Sequence, residues 1–270
     1  MSTILDTIIA AKRKEVEKVK PMSSIERFEK DGFFWKFTNR SLVQSLLKEA
    51  STGIIAEFKR KSPSKGWFKD AKLEAEAVVR PYNNLGAAGI SVLTDEEFFG
   101  GDLDDLIQTK VVTDVPILRK DFIIDRWQIA ESKAFGADVI LLIAACLSPA
   151  AVKELAAYAK SIGLEVLLEI HNETELGHIC DGVDMVGVNN RNLKTFEVNI
   201  DTSLQLINSI PAGKPGIAES GITDIETIVT LRRAGFKGFL VGENFMRHPD
   251  PGKAFGEFVS KLKAVDSISK

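Results

Sequence analysis

Five ionisable residues stand where a short apolar run gives way to polar chain: Glu57, Lys59, Lys120, Glu169 and Glu219. Thr94, Asn189, Arg191, Ser220 and Gly242 hold the same kind of position. Two ammonium groups and three carboxylates gathered in one partly dry place shift one another's pKa values, an arrangement suited to moving protons. Any one of them alone reads equally well as a solvated charge or half of an ion pair. The set argues for a site, because almost every run is apolar inside and polar at its end. Two of these ends also carry glycine turns, Glu219-Ser220-Gly221-Ile222 and Val241-Gly242-Glu243-Asn244, each leading toward a helical pattern. Glycine lets backbone amides approach an anion at a helix start. One such turn is merely tight; two together predict a phosphorylated small molecule.

The elements that must position these residues follow from the pattern around them. The apolar runs begin at Ile54, Gly89, Val115, Ala137, Leu164, Asp184, Pro215 and Gly238. Their recurrence about every 20 to 35 residues is the size of a strand-plus-helix unit. Several are almost continuously apolar, as parallel strands buried on both faces are. Between them Leu103, Leu106, Ile107 and Val111 fall on one helical face. Ser148-Pro149 reads as an N-cap and first turn, and Thr223-Asp224-Ile225-Glu226 as a capping box opening a helix that stops before Gly235. Eight such units close most economically into a (β/α)8 TIM barrel, in which strand C-terminal ends converge on one mouth. Periodicity alone leaves a doubly wound sheet open.

Residues 1–50 precede the first strand. Met1 to Lys20 reads as a helix with Ile4, Leu5, Ile8, Val16 and Val19 on one side, and Ser41 to Ala50 as a second. Phe33, Phe34, Trp35 and Phe37 form a cluster expected to act as an apolar lid on one end of the barrel. No Pro/Gly/Ser-rich linker sets this part off, so residues 1–270 are expected to form one barrel domain with an N-terminal helical extension.

Composition narrows the function. The chain is 44% hydrophobic and 27% charged, which is globular rather than disordered. Thirty-five basic residues against 38 acidic ones supply no basic face for nucleic acid. Cys146 and Cys180 form no CxxC, and His171, His178 and His248 are too scattered for usual metal spacings, so neither a disulfide scaffold nor a metal is expected. No run reaches the roughly 20 apolar residues of a membrane span, and the N-terminus lacks a signal-peptide centre. A cytoplasmic protein without membrane or nucleic-acid partners is expected.

At this point the residues resemble a known family. The segment Ile55-Ala56-Glu57-Phe58-Lys59-Arg60-Lys61-Ser62-Pro63-Ser64-Lys65-Gly66 is similar to the opening strand and loop of indole-3-glycerol phosphate synthases. The likeness continues through Ser91 to Thr94, Phe98-Phe99-Gly100-Gly101, Leu118 to Asp125, Leu168-Glu169-Ile170-His171 and Gly187 to Leu193. It ends with the two glycine turns and so spans nearly the whole chain in the family's order; the helix Ile4 to Lys20 resembles the family's extra helix. Phe58 and Lys61 replace smaller residues, Ala218 precedes Glu219, and Asn244 follows Glu243, departures that bear mainly on the phosphate end. An isomerase domain fused to some members is expected to be absent.

The resemblance implies ring closure of 1-(2-carboxyphenylamino)-1-deoxyribulose 5-phosphate to indole-3-glycerol phosphate, carbon dioxide and water, in tryptophan biosynthesis, with no cofactor. It implies Lys120 as acid for ring closure and Glu169 as base for dehydration, with Lys59 holding an anionic group and serving as the dehydration acid, and Glu57 tuning the lysines. Asn189 and Arg191 are implied to position substrate, and Ser62, Leu193, Glu219 and Ser220 to line the site. Phe99 and Phe122 would wall the anthranilate ring, and amides near Gly221, Gly242 and Glu243 would meet phosphate, with the Glu243 carboxylate turned away. A monomer is expected, weak self-association being the alternative. A class I aldolase or other sugar-phosphate enzyme, and a non-catalytic phosphometabolite binder, are the competing readings, since fold alone decides no chemistry.

Overall fold

The computed structural model describes residues 3–192 and 195–268. Eight parallel strands close into a barrel: β1 Ile54–Phe58, β2 Gly89–Leu93, β3 Ile117–Lys120, β4 Val139–Ile143, β5 Glu165–Ile170, β6 Met185–Asn189, β7 Gly216–Glu219 and β8 Gly238–Val241. Each pairs with its sequence neighbour, and β1 closes the ring against β8 with Ile54 opposite Phe239. Closure removes the doubly wound alternative.

Strand side chains alternate between two cores. Ile54, Ala56 and Phe58 of β1 face outward into the layer between barrel and helices, while Ile55 faces inward with Leu118, Leu141, Leu167, Met185 and Ile217. The two-residue period then aims the chemistry. Glu57 follows Ile55 by two, Lys120 follows Leu118, Glu169 follows Leu167, Asn189 follows Gly187, and Glu219 follows Ile217. Each candidate group is thus the last inward residue of its strand, and the inward residue two positions before it is small or apolar.

The helices between strands begin where local chemistry supplies acceptors. In α8 (Pro149–Ser161) the Ser148 hydroxyl accepts the Ala151 amide at 3.2 Å. The helix α10 (Ile225–Ala234) starts one residue later than the capping-box reading, because the Asp224 carboxylate, not Thr223, takes the Thr227 amide.

The N-terminal segment covers both ends of the barrel. Helix α1 (Ile4–Val19) lies over the C-terminal mouth, burying Leu5, Ile8 and Ile9 with Phe122, Ile143 and Leu240. Helix α3 (Leu42–Leu47), shorter than the stretch read from sequence, plugs the opposite end with Leu42 and Leu46. Truncating either leucine to alanine costs about 2–5 kcal/mol on general grounds. These leucines form the lid. Only Phe34 of the aromatic cluster is buried; Phe33 and Phe37 remain exposed, each meeting the Phe34 ring edge-on beside Gly136.

Candidate active site

The strand C-terminal ends surround a cavity of about 550 Å³. At its floor the partly buried Lys120 ammonium lies 3.0 Å from Glu169 Oε2 and 3.1 Å from Glu219 Oε2. Burial pushes Lys120 toward the neutral form, but Glu169, Glu219 and Glu57 outweigh it and hold the group charged well above the ordinary lysine range. Burial likewise penalises the Glu169 anion, yet Lys120 and His171 keep its carboxyl well below the usual range. Glu219 goes the other way. Burial, reinforced by Glu169 and only partly offset by Lys120, raises it to about 7. Neighbouring carboxylates with opposed shifts are a common mark of separate acid and base duties.

Glu57 closes β1 and pairs with Lys59 on the following turn, so its direct partner is Lys59 rather than Lys120. Asn189 donates to Glu169 Oε1 at 3.1 Å and accepts from the Ser220 hydroxyl at 2.9 Å and the Arg191 amide at 3.0 Å. It thereby links three strand ends. Ser220 sits in the left-handed region at φ 66°, a cost a non-glycine residue carries only where its surroundings fix it. Gly221 follows at φ 77°.

Two other glycines make room for carboxylates. A Cβ on Gly242 would run into the Glu57 side chain, and one on Gly187 into Glu219 Oε1. That Glu219 oxygen is buried without a hydrogen-bond partner among the described residues. Ser62, in the hairpin formed by Lys61–Ser62 and Gly66–Trp67, lines the cavity wall, as do Phe99 and Phe122 with ring centroids 6.0 Å apart. At the far end the Glu243 carboxylate pairs with Lys65 and lies 3.9 Å from Arg191 and 3.8 Å from Arg247. Leu193 lies outside the described residues. Thr94 is not at the cavity: its buried hydroxyl donates to Asp121 and accepts from Arg119. The structure gathers the other predicted site residues around one cavity.

Sequence reasoning missed several contributors. Ile4, Leu5 and Ile8 of α1 line the cavity. Lys12, 1% exposed, anchors that helix through contacts of 3.0 Å to both Asp95 and Asp121. A lysine in register with Ile8 and Val16 on an apolar helix face was the available signal. Gly187, inside a buried strand, was another. Among the described residues no His/Cys/Asp/Glu group is arranged to hold a metal ion.

A closed parallel barrel with acid–base groups ringing its C-terminal mouth defines a TIM-barrel enzyme working on a small substrate. The sequence matches the family described as Indole-3-glycerol phosphate synthase over residues 5–258. It is 48% identical over 265 residues to the indole-3-glycerol phosphate synthase of Bacteroides thetaiotaomicron, covering 98% of this chain and 100% of that one. It is 44% identical to the Polaromonas naphthalenivorans enzyme of the same name, across 95% and 98% of the two chains. Solved structures share the fold alone. One is of a Pyrococcus furiosus tryptophan synthase a2b2 complex (TM-score 0.58, 15% identity, 78% of this chain and 97% of that one). Another is a native KDPGal structure (TM-score 0.57, 13% identity, 82% and 97%). The chain belongs to the indole-3-glycerol phosphate synthase family and carries its activity, that of a carboxy-lyase in tryptophan biosynthesis.

Proposed function

We propose that Lys120 protonates the substrate ketone oxygen as the aromatic carbon attacks it, and that Glu169 takes up a proton in the later dehydration. The observation that carries this reading is the partly buried Lys120 ammonium, held between Glu169 and Glu219 at the cavity floor. The pairing sets both groups in the protonation states their duties start from, an ammonium with a proton to give and a carboxylate with room for one. A Schiff-base aldolase needs a free amine instead, which two carboxylates against Lys120 oppose.

In this reading Lys59, oriented by Glu57, holds an anionic substrate group and returns a proton to the leaving hydroxyl. Loss of carbon dioxide restores aromaticity between the two steps and needs no protein group of its own. Asn189, Arg191 and Ser220 position the substrate, Ser62 and Glu219 border it, and Phe99 and Phe122 wall its ring. Amides at Gly221, Gly242 and Glu243 take the phosphate, with Lys65 holding the Glu243 carboxylate aside. The test is indole fluorescence during turnover of the carboxyphenylamino-deoxyribulose phosphate by Lys120→Met and Glu169→Gln variants. Near-normal kcat in either removes that residue's role.

We further read the chain as one domain acting as a monomer in the cytoplasm. α1 and α3 share the barrel's inner core, as parts of one domain do, and both cysteines are free, as a reducing compartment keeps them. Sedimentation at working concentration tests the monomer.

A further inference from the structure

His171 follows β5 directly, and the mechanism above gives it no task. Its ring is 9% exposed and lies between two carboxylates. Nε2 is 3.2 Å from Glu169 Oε1, and Nδ1 is 3.3 Å from Glu175 Oε2. Glu175 is itself tied down. The same Oε2 accepts the His171 amide at 2.7 Å, and Oε1 accepts Asn172 Nδ2 at 3.0 Å. The approach to Glu169 is an ion-pair contact without an aligned hydrogen bond, and Nε2 has no hydrogen-bond partner among the described residues.

We propose that His171 is a positioning residue for the reaction: its ring, braced from behind by Glu175, fixes and charge-balances Glu169 from the side opposite Lys120. The inference rests on the reading of Glu169 as the base. Lys120 cannot serve as the constant counter-ion of Glu169 if it gives up its proton during ring closure. A second cation on the other carboxylate oxygen keeps Glu169 anionic and stationary through that moment. Every charged group around the ring suits this role. Glu169 and Glu175 flank it, and Lys120 and Glu219 lie beyond Glu169. Burial and the nearby Glu169 raise the Cys146 thiol, in the turn after β4, to about 12, so it stays neutral; Arg13 of α1 also acts on that thiol. Burial disfavours the His171 cation, but Glu169 and Glu175 prevail and raise it to about 10, so the ring is charged at neutral pH.

The test compares His171→Ala and His171→Gln, with Glu169→Gln assayed in parallel. Gln places a neutral amide near Nε2; Ala places nothing there. We expect His171→Ala to lower kcat about 10- to 100-fold with KM for substrate changed less than about twofold, as a displaced catalytic group does. His171→Gln recovers part of that loss. In both variants the acidic limb of the kcat–pH profile moves upward, because Glu169 has lost a cation. If His171→Ala fails to fold, the Gln limb shift alone decides. An unmoved limb with kcat within about twofold of the parent overturns the proposal. Near-normal turnover by Glu169→Gln instead overturns the base assignment, a separate failure.

Discussion

The two ends of the barrel bury the same residue types and use them differently. At the N-terminal end Asp138 accepts Lys110 at 2.6 Å, the Arg40 amide at 2.8 Å and the Ile117 amide at 3.0 Å. Glu165 there accepts the Leu42 amide at 2.8 Å, the Val43 amide at 3.2 Å and the Ser41 hydroxyl. Backbone amides do not ionise near neutral pH and cannot leave their place, so these carboxylates act as fixed staples for α3 and the strand starts. At the C-terminal end Glu57, Glu169 and Glu219 meet side chains that themselves ionise, and one Glu219 oxygen has no hydrogen-bond partner among the described residues. Saturation by backbone marks architecture. Pairing among titratable side chains around a cavity marks chemistry.

Lys120→Met breaks the mouth most severely. It should lower kcat by at least about 10²–10⁴-fold, the range of general acid catalysis, while product affinity survives. Lys120→Arg should restore little, because guanidinium keeps the charge but gives up its proton poorly. Substantial rescue by arginine would make Lys120 a staple like those of the other end.

Asp138→Ala is the matching lesion at the N-terminal end. It strands the buried Lys110 and two amides, so unfolding free energy should drop by about 3–5 kcal/mol with kcat unchanged in the folded enzyme. Denaturant titration and a turnover assay at low temperature check both halves.

Gly242→Asp adds bulk against Glu57 and negative charge at the phosphate end, and should raise KM by about 10²-fold. Gly89→Ala meets the Leu42 side chain and the Pro116 carbonyl at the opposite end, away from the cavity, and should leave KM alone in the folded variant. Equal KM values in the two variants would remove the phosphate from the Gly242 turn.

Glu219→Gln carries the smallest effect and the clearest sign. A carboxyl raised from 4.5 to about 7 in the fold contributes stability below its unfolded pKa and loses it as pH rises through 7. Glutamine mimics the protonated acid at every pH. The variant should therefore gain about 1 kcal/mol over the parent at pH 8.5 and nothing at pH 4, below the unfolded pKa, part of the gain being offset by the lost Lys120 contact. Melting curves at both pH values decide it. A Tm advantage independent of pH would mean that Glu219 does not ionise across this range.

The barrel was legible because parallel strands buried on both faces must be written in apolar residues, and a final inward Glu, Lys or Asn stands out against Leu167 or Ile217 two positions before it. The placement of α1 was not. Its periodicity shows which face is buried but not what covers it, and the partners of Lys12 lie some 80 to 110 positions away at Asp95 and Asp121. Phe33 and Phe37 misled for the complementary reason: aromatic type signals packing, yet the nearby Leu42 and Leu46 occupy the barrel end. His171 was weighed only as a metal ligand, because sequence spacing carries no trace of the two carboxylates that flank its ring.

The docking of α1 has a consequence for synthesis. This helix leaves the ribosome before any strand of the barrel, yet its apolar face rests on Ile143 and Leu240, and its lysine on acids at the ends of the second and third units. The last of these surfaces exists only once the eighth strand has been made and has zipped onto the first. During translation the helix waits undocked, with Leu5, Ile8 and Ile9 without their resting place and open to chaperones. Nascent chains short of the final strand therefore possess most of the ionisable groups but no roofed chamber to hold them. Turnover by the finished enzyme doubles as a readout that the ring has closed.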